Sequence, residues 1–407
     1  MYTREQYLKQ VKKLIDKPVI KVITGIRRSG KSCLLQLIMS HLNVDRSQIL
    51  YINKESLEFD HIKDYQDLYK YTQKVFDGID GNKYLFVDEV QEINQWERAI
   101  VSIFSKGTID IFITGSNAHL LSSEIATLIS GRYVEIHVYT LRFQEFLLFR
   151  NAKATDHQNE FNHYLRYGGF PAIHHFTLEP DIIYQYINSL YDTIMLKDIV
   201  KRNNVRNVNL LENISKYIFD NTGNIFSAKK VSDYLKSQKL KVGLETVQNY
   251  ISYFTSTFSI HKVQRYDIKG KRFLELYEKY YLGDIGLRHA LLGFREHDIS
   301  GILENIVYLE LKSRNYKVYI GKIGNKEIDF IAERENSKIY IQVCYLLSTK
   351  ETIEREFSNL LRIKDNYPKY VISMDTYFGN DYEGIKRLNL IDFLLNKKMI
   401  EENAPVI

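Results

Sequence analysis

The sequence predicts an α/β chain whose N-terminal part is a parallel sheet between helices, and three observations predict it. Short apolar runs at 20–24, 49–52, 84–87, 109–114 and 133–138 alternate with stretches of helical periodicity. A glycine-bounded turn, Gly25-Ile26-Arg27-Arg28-Ser29-Gly30-Lys31-Ser32, joins the first run to the first helix. Two acids, Asp88-Glu89, end the third run.

The run 20–24 is short, β-branched and apolar, so it reads as a buried strand. Residues 31–42 read as a helix because Leu34, Leu35, Leu37 and Ile38 fall near helical spacing. Segments 64–76 and 95–104 are the next helices, and strands separated by helices argue for parallel pairing. Beyond 141 the periodicity is helical to about 199, broken once by Gly168-Gly169-Phe170-Pro171. Three short helical segments fill 208–258, and 260–276 alternates as a hairpin about Lys269-Gly270-Lys271. After Gly293 come a helix (302–314), strands (317–320, 327–332, 339–343), a helix ending at 361 and a strand (370–373). The expected domain limits are 1–140, 141–200, 201–292 and 293–407.

A length of 407 residues exceeds one ordinary core, and 44% hydrophobic with 26% charged residues is the composition of a soluble globular protein. Residues 1–10 are charged and polar, so no secretory signal is expected, and no run approaches the ~20 apolar residues that span a bilayer. A cytoplasmic protein without membrane contact is the expectation. Cys33 and Cys344 lie far apart and offer neither a disulfide framework nor metal-ligand spacing, and no pair of histidines is spaced as metal ligands. The net charge of +6 is unevenly spread. Residues 201–272 hold 14 Lys and Arg against 5 Asp and Glu, a net of +9, so the remainder carries −3. A local basic face is the footprint of a polyanion partner.

The turn at 25–32 fits G-x-x-x-x-G-K-[ST] in full. Its backbone N–H groups form a nest for phosphate oxygens, which the helix N-terminus strengthens. Gly25, Arg27, Arg28, Ser29, Gly30, Lys31, Ser32 and Cys33 are the expected nucleotide-binding residues, with Arg27 and Arg28 facing either phosphate or solvent. Lys31 is expected to bridge the β- and γ-phosphates of ATP, and Ser32 to place its hydroxyl on Mg²⁺. Asp88, 57 residues after Lys31, is expected to hold Mg²⁺ directly or through water, and Glu89 to polarise the attacking water. At the end of the fourth run, Ser116 and Asn117 are alternative sensors of the γ-phosphate. Arg132, after Gly131, is a candidate arginine finger acting on a neighbour's nucleotide, which requires at least two subunits. Tyr2 and Tyr7 are the aromatic candidates for adenine. A GTPase reading fails because Asn53-Lys54 is followed by Glu55-Ser56, without an acid two residues after the lysine.

Ile20 to Ser32, Val87-Asp88-Glu89-Val90-Gln91, Ile113-Thr114-Gly115-Ser116-Asn117 and Ser130-Gly131-Arg132 recur in that order. Together they resemble a family of bacterial and archaeal AAA+-type ATPases whose C-terminal half carries a domain of unknown function. Tyr167-Gly168-Gly169-Phe170-Pro171, Glu304-Asn305 and Glu327-Ile328-Asp329-Phe330 resemble its later signatures. The resemblance implies an AAA+ P-loop core, a helical lid, a winged-helix region and a terminal domain similar to PD-(D/E)XK nucleases. It places Lys31, Ser32, Asp88 and Glu89 in nucleotide roles, Ser116 or Asn117 in the sensor role and Arg132 in the finger role. A departure is Thr140-Leu141-Arg142-Phe143, where proline and serine are expected for Thr140 and Arg142.

In the winged-helix reading, Ser227 caps the second helix, 244–254 is the third, and Lys262, Arg265, Lys269, Lys271 and Arg272 decorate the wing, suited to DNA phosphates. The third helix offers Glu245 as its one charged residue, which disfavours base readout and leaves protein docking or a spacer role open. In the C-terminal domain Asp329 stands where a nuclease needs a carboxylate. The expected acid-x-lysine reads Gln342-Val343-Cys344, so a degenerate nuclease fold that scaffolds rather than cuts is expected. The sequence thus predicts an ATP-hydrolysing protein that drives conformational change, with DNA as a candidate partner. The alternatives are a slow nucleotide-dependent switch or scaffold for a protein partner, favoured less because of Glu89, and an ATP-gated nuclease.

Overall fold

Strands buried on both faces need helices on both sides, and the N-terminal residues meet that need. The strands are β1 (Ile20–Thr24), β2 (Ile49–Asn53), β3 (Lys83–Asp88), β4 (Ile109–Gly115) and β5 (Tyr133–His137). They pair in parallel in the order β2-β3-β4-β1-β5. The helices are α1 (Glu5–Lys12), α2 (Lys31–His41), α3 (Tyr65–Val75) and α4 (Trp96–Ser105). Alternation along β3 sorts them. Leu85 and Val87 pack with Leu68 of α3 and Trp96, Ile100 and Ile103 of α4. Tyr84 and Phe86 face the other way, onto Leu34, Leu35 and Ile38 of α2 and Tyr7, Leu8 and Val11 of α1. Asp64 caps α3 by accepting from the backbone N–H groups of Gln66 and Asp67.

The computed structural model describes residues 2–121, 129, 131–240, 242–295, 298–376 and 381–395. The chain divides into two compact units, Met1–Thr140 with Ser256–Phe258, and Leu141–Thr255 with Ser259–Ile407. Among the described residues no helix is long and apolar enough to cross a membrane.

The second unit begins with α5 (Phe143–Arg150), α6 (His157–Tyr167) and α7 (Pro180–Thr193), which runs on through a π-helical stretch, Ile194–Lys201. Next come α8 (Val208–Asp220), β6 (Ile225–Phe226), α9 (Ala228–Ser237) and α10 (Leu244–Ser256). Ser227 caps α9 by accepting from Lys230 N, as its position predicts. The hairpin β7 (Ile260–Asp267) and β8 (Arg272–Leu282) leads to α11 (Ile285–Leu292) and α12 (Ile299–Ser313). The C-terminal elements are β9 (Lys317–Ile323), β10 (Lys326–Arg334), β11 (Ser337–Val343), α13 (Lys350–Leu361), β12 (Lys369–Ser373), β13 (Lys386–Asn389) and α14 (Leu390–Leu395).

The hairpin is not free-standing. β7 pairs in parallel with β9 at Arg265↔Ile320, Tyr266↔Gly321 and Asp267↔Lys322, so one eight-stranded sheet runs β13-β12-β11-β10-β9-β7-β8-β6. This changes the expected wing. Arg265 is buried in the sheet and Lys262 is paired to Glu278 at 2.5 Å. Lys269, Lys271 and Arg272 remain exposed at the hairpin tip.

Gly168-Gly169 is a docking point rather than a mere helix breaker. Gly169 N donates to Asp284 Oδ2 at 2.8 Å. Gly168 has φ +74°, and a Cβ there would lie 1.9 Å from Asp284 Oδ1. Arg142, where the family resemblance predicts serine, is buried and ion-paired with Glu145 and with Glu310 of α12. Gly168→Ala is expected to cost on the order of 2–4 kcal/mol, as strain plus a broken buried contact. Urea unfolding of the variant followed by circular dichroism measures it.

Candidate functional site

Parallel pairing sends the loops after β1, β3 and β4 to one edge of the sheet, the edge where open α/β sheets bind ligands. The loop after β1 is forced into its shape by two glycines. Gly25 has φ +146°, and a Cβ on it would lie 2.2 Å from the Val138 carbonyl oxygen. Gly30, left-handed at φ 98°, starts α2. Residues 31–33 form the first turn of α2, the helix end whose dipole favours an anion. Arg4 braces the loop, donating to the carbonyls of Ser29 (3.0 Å) and Tyr139 (2.9 Å).

Lys31 is buried, and its Nζ donates to the carbonyls of Gly25 (3.1 Å) and Ile26 (3.2 Å). It also lies 3.7 Å from Glu89 Oε1. Asp88 accepts from Thr114 Oγ1 and, at 3.1 Å, from Tyr51 OH. Thr114 also receives the Glu89 N–H at 3.0 Å, so one hydroxyl sets both acids. Glu89 takes a left-handed backbone, φ 54°, which is costly for a residue with a Cβ. Its Oε2 accepts from Ser116 Oγ at 3.1 Å and from Gln91 Nε2. Burial by itself pushes the Glu89 carboxyl up. Lys31, Gln91, Arg27 and Ser116 together outweigh burial and hold it below the usual carboxylate range.

Of the two sensor candidates, Ser116 touches Glu89, and Asn117 is buried beside it. Arg27 is buried and ion-paired with Glu55 at 3.1 Å, whereas Arg28 is exposed. Ser29 is buried, Ser32 is half-buried and Cys33 is exposed. Ser32 and Asp88 offer hard oxygen donors, which suit Mg²⁺. Arg132 is exposed at the start of β5, where Ile20 N donates to its carbonyl. The loop leaves the far end of β1, so five residues of strand, about 16 Å, part Arg132 from it. Tyr7 is in the core, with its OH receiving the Tyr139 N–H, and Tyr2 is exposed. Ser130 lies outside the described residues.

The sequence reading missed Tyr51, Thr114, Gln91 and Arg4. Thr114 carried a signal, a polar residue closing an apolar strand next to the acid-bearing one. Tyr51 and Arg4 carried none, because their contacts come from strand pairing and from a distant helix.

It also missed a lysine in the second unit. Cys344 is buried and Gln342 Oε1 accepts from Asp329 N at 3.4 Å. The ammonium that β11 lacks comes from β8. Lys279 Nζ lies 2.7 Å from Glu327, 3.1 Å from Glu304 and 4.0 Å from Asp329.

Residues 17–147 match the AAA domain family, and residues 158–298 match a domain of unknown function. Over 405 residues the chain is 37% identical to an uncharacterized protein of Haemophilus influenzae, covering 97% of this chain and 99% of that one. The chain belongs to the same family of AAA ATPases. An uncharacterized protein of Methanocaldococcus jannaschii is 32% identical over 392 residues, covering 92% of this chain and 85% of that one. Among solved structures, the Aeropyrum pernix ORC1 protein in complex with DNA is similar at a TM-score of 0.32 and 10% identity, over 72% of this chain and 92% of that one.

A folded-state carboxyl held below its unfolded value stabilises the protein above the unfolded pKa, about 4.3. That contribution is lost as pH falls through the folded value. The unfolding free energy of the protein relative to its Glu89→Gln variant should therefore hold steady at neutral pH and shrink as pH falls below about 4.3. Chemical denaturation of both at each pH measures it, and a constant difference would contradict the depressed Glu89.

Proposed function

We propose that the N-terminal unit binds Mg-ATP through residues 25–33 and hydrolyses it, using the energy to drive conformational change. One feature carries most weight: a buried, ionised Glu89 is aimed by Ser116 and Gln91 within 3.7 Å of the Lys31 ammonium. In this reading Lys31 leaves the Gly25 and Ile26 carbonyls for the β- and γ-phosphates. Ser32 and Asp88 hold Mg²⁺, which supplies charge neutralisation on the phosphates. Glu89 takes a proton from water as the water oxygen bonds to the γ-phosphorus, and the bond to the ADP oxygen breaks. Ser116, with Asn117 beside it, couples the γ-phosphate to Glu89. Arg132 serves a neighbouring subunit, since about 16 Å of strand separates it from its own loop.

Residues 141–200, 201–292 and 293–407 serve as lid, winged-helix region and nuclease-like scaffold. DNA backbone contact falls to the exposed Lys269, Lys271 and Arg272 within the basic span 201–272.

A second reading, a slow nucleotide-dependent switch, is favoured by the engagement of Lys31 with two loop carbonyls and Glu89, all of which it must leave. Phosphate release separates the two. Lys31→Ala is expected to weaken ATP binding at least about tenfold, a loss of about 1.4 kcal/mol. Glu89→Gln is expected to keep ATP yet lose about 10²–10⁴ in turnover. Equal turnover in wild type and Glu89→Gln would leave only the switch. For DNA, replacing Lys269 and Lys271 by Ala should reduce the salt slope of binding by about two. Fluorescence anisotropy across a salt series measures that slope.

A further inference from the structure

The second unit carries a patch of aromatic rings on the sheet face against which α13 packs. Tyr266 of β7 and Tyr319 of β9 border the core under α13 and are half-buried. Phe273 of β8 pairs across from Tyr266. Its ring meets Tyr266 at 5.2 Å and Tyr319 at 5.1 Å, centroid to centroid. On the other side the Lys338 ammonium of β11 lies over the rings of Tyr266 and Tyr367, 5.9 Å and 5.6 Å from their centroids. From β8 to β11 the sheet advances by four strand spacings, about 19 Å, so the patch is several rings wide.

Two properties separate this patch from the rim of an ordinary core. A cluster that only sealed the core would end in polar side chains, but this one ends in Phe273, 51% exposed, and Tyr367, 38% exposed. The charge around it is also one-sided. Glu333 is already paired with Lys338 at 2.8 Å and Asp365 with Lys369 at 3.6 Å. Asp267 is engaged in the hairpin turn, accepting from the N–H groups of Lys269 and Gly270. The cations are open by contrast. Lys271 and Arg272 precede Phe273, Lys317 shares a face with Tyr319 two residues on, and Lys364 precedes Tyr367. These four are exposed, and among the described residues no ion pair engages them.

Exposed rings among unpaired cations suit a partner that offers flat apolar faces along a chain of negative charge. Duplex DNA offers the charge but keeps its base faces inside its own stack. A protein partner fits less well, because protein interfaces are poor in lysine. We propose that this patch holds single-stranded DNA. Bases stack on Phe273 and Tyr367 and rest against Tyr266 and Tyr319, while phosphates meet Lys271, Arg272, Lys317 and Lys364. The inference rests on the reading that the hairpin tip contacts DNA, and it adds the strandedness and a set of contacts that carry no charge.

Fluorescence anisotropy of the full chain with a labelled oligothymidylate of about 12 nucleotides, against a duplex of the same length, tests this. The single strand is expected to bind at least about tenfold more tightly than the duplex. Phe273→Ala and Tyr367→Ala should each weaken single-strand binding at least about fivefold. Duplex binding and the salt slope should not change in either variant, because stacking releases no counter-ions. Phe273→Tyr should bind as the parent does. Equal affinity for the two DNA forms, or unchanged single-strand affinity in both alanine variants, overturns the proposal. The broader DNA reading survives that result if Lys269 and Lys271 still set the salt slope, whereas failure of both DNA forms to bind overturns the two together. Tighter binding of oligouridylate than of oligothymidylate overturns the assignment to DNA. Should the alanine variants misfold, photocrosslinking of a bromodeoxyuridine-substituted single strand to the unmutated chain decides. Adducts at Tyr266, Phe273, Tyr319 or Tyr367 support the platform, and their absence there overturns it.

Discussion

The parallel pairing of β1, β4 and β3 is the constraint on which the candidate site depends. Because these strands run the same way and lie side by side, the loop at 25–32, Ser116-Asn117 and the acid pair leave the sheet at one edge. No single side chain builds that juxtaposition. It follows from apolar strands buried on both faces, with α1 and α2 on one side and α3 and α4 on the other. The site then adds small corrections. Thr114 joins Asp88 to the Glu89 backbone, Gln91 and Ser116 hold the Glu89 carboxylate, and Arg4 braces the loop.

Strain and charge coincide at Glu89, where chemistry is proposed. Glu89 sits in a left-handed backbone and is buried, yet stays ionised because Lys31, Gln91, Arg27 and Ser116 compensate. Lys31 is held by its own loop carbonyls, so the ammonium is buried and already desolvated, in contacts that the proposed binding would have to break. Such preorganisation lowers the cost of binding, while the contacts to be given up raise it.

The second unit uses different devices. Asp284 receives the Gly169 N–H and caps α11, which ties the glycine pair to that helix. Asn305 bonds both the N–H and the carbonyl of Leu282, fastening α12 to the end of β8. Pairing of β7 with β9 then joins the hairpin to the C-terminal strands in one sheet. These links bring Lys279 to Glu304, Glu327 and Asp329, and they explain why Arg265 is unavailable at the hairpin surface.

Much of this was legible in the residues themselves. The five parallel strands, α2 to α4, the three helices of 208–258 and the β7–β8 hairpin follow from local periodicity, glycine placement and caps such as Ser227, which need only neighbours within a few residues. The shape of the loop at 25–32 was equally legible, since Gly25 and Gly30 are demanded by backbone geometry. Sheet order, the pairing of β7 with β9, and the partners of Lys31, Asp88 and Lys279 were decided only by the tertiary structure. Their contacts join residues tens of positions apart, and no local pattern encodes which strand edge meets which. Lys279 is the clearest case: in sequence it is one lysine in a strand, and only the packing of β8 against α12 and β10 surrounds it with acids.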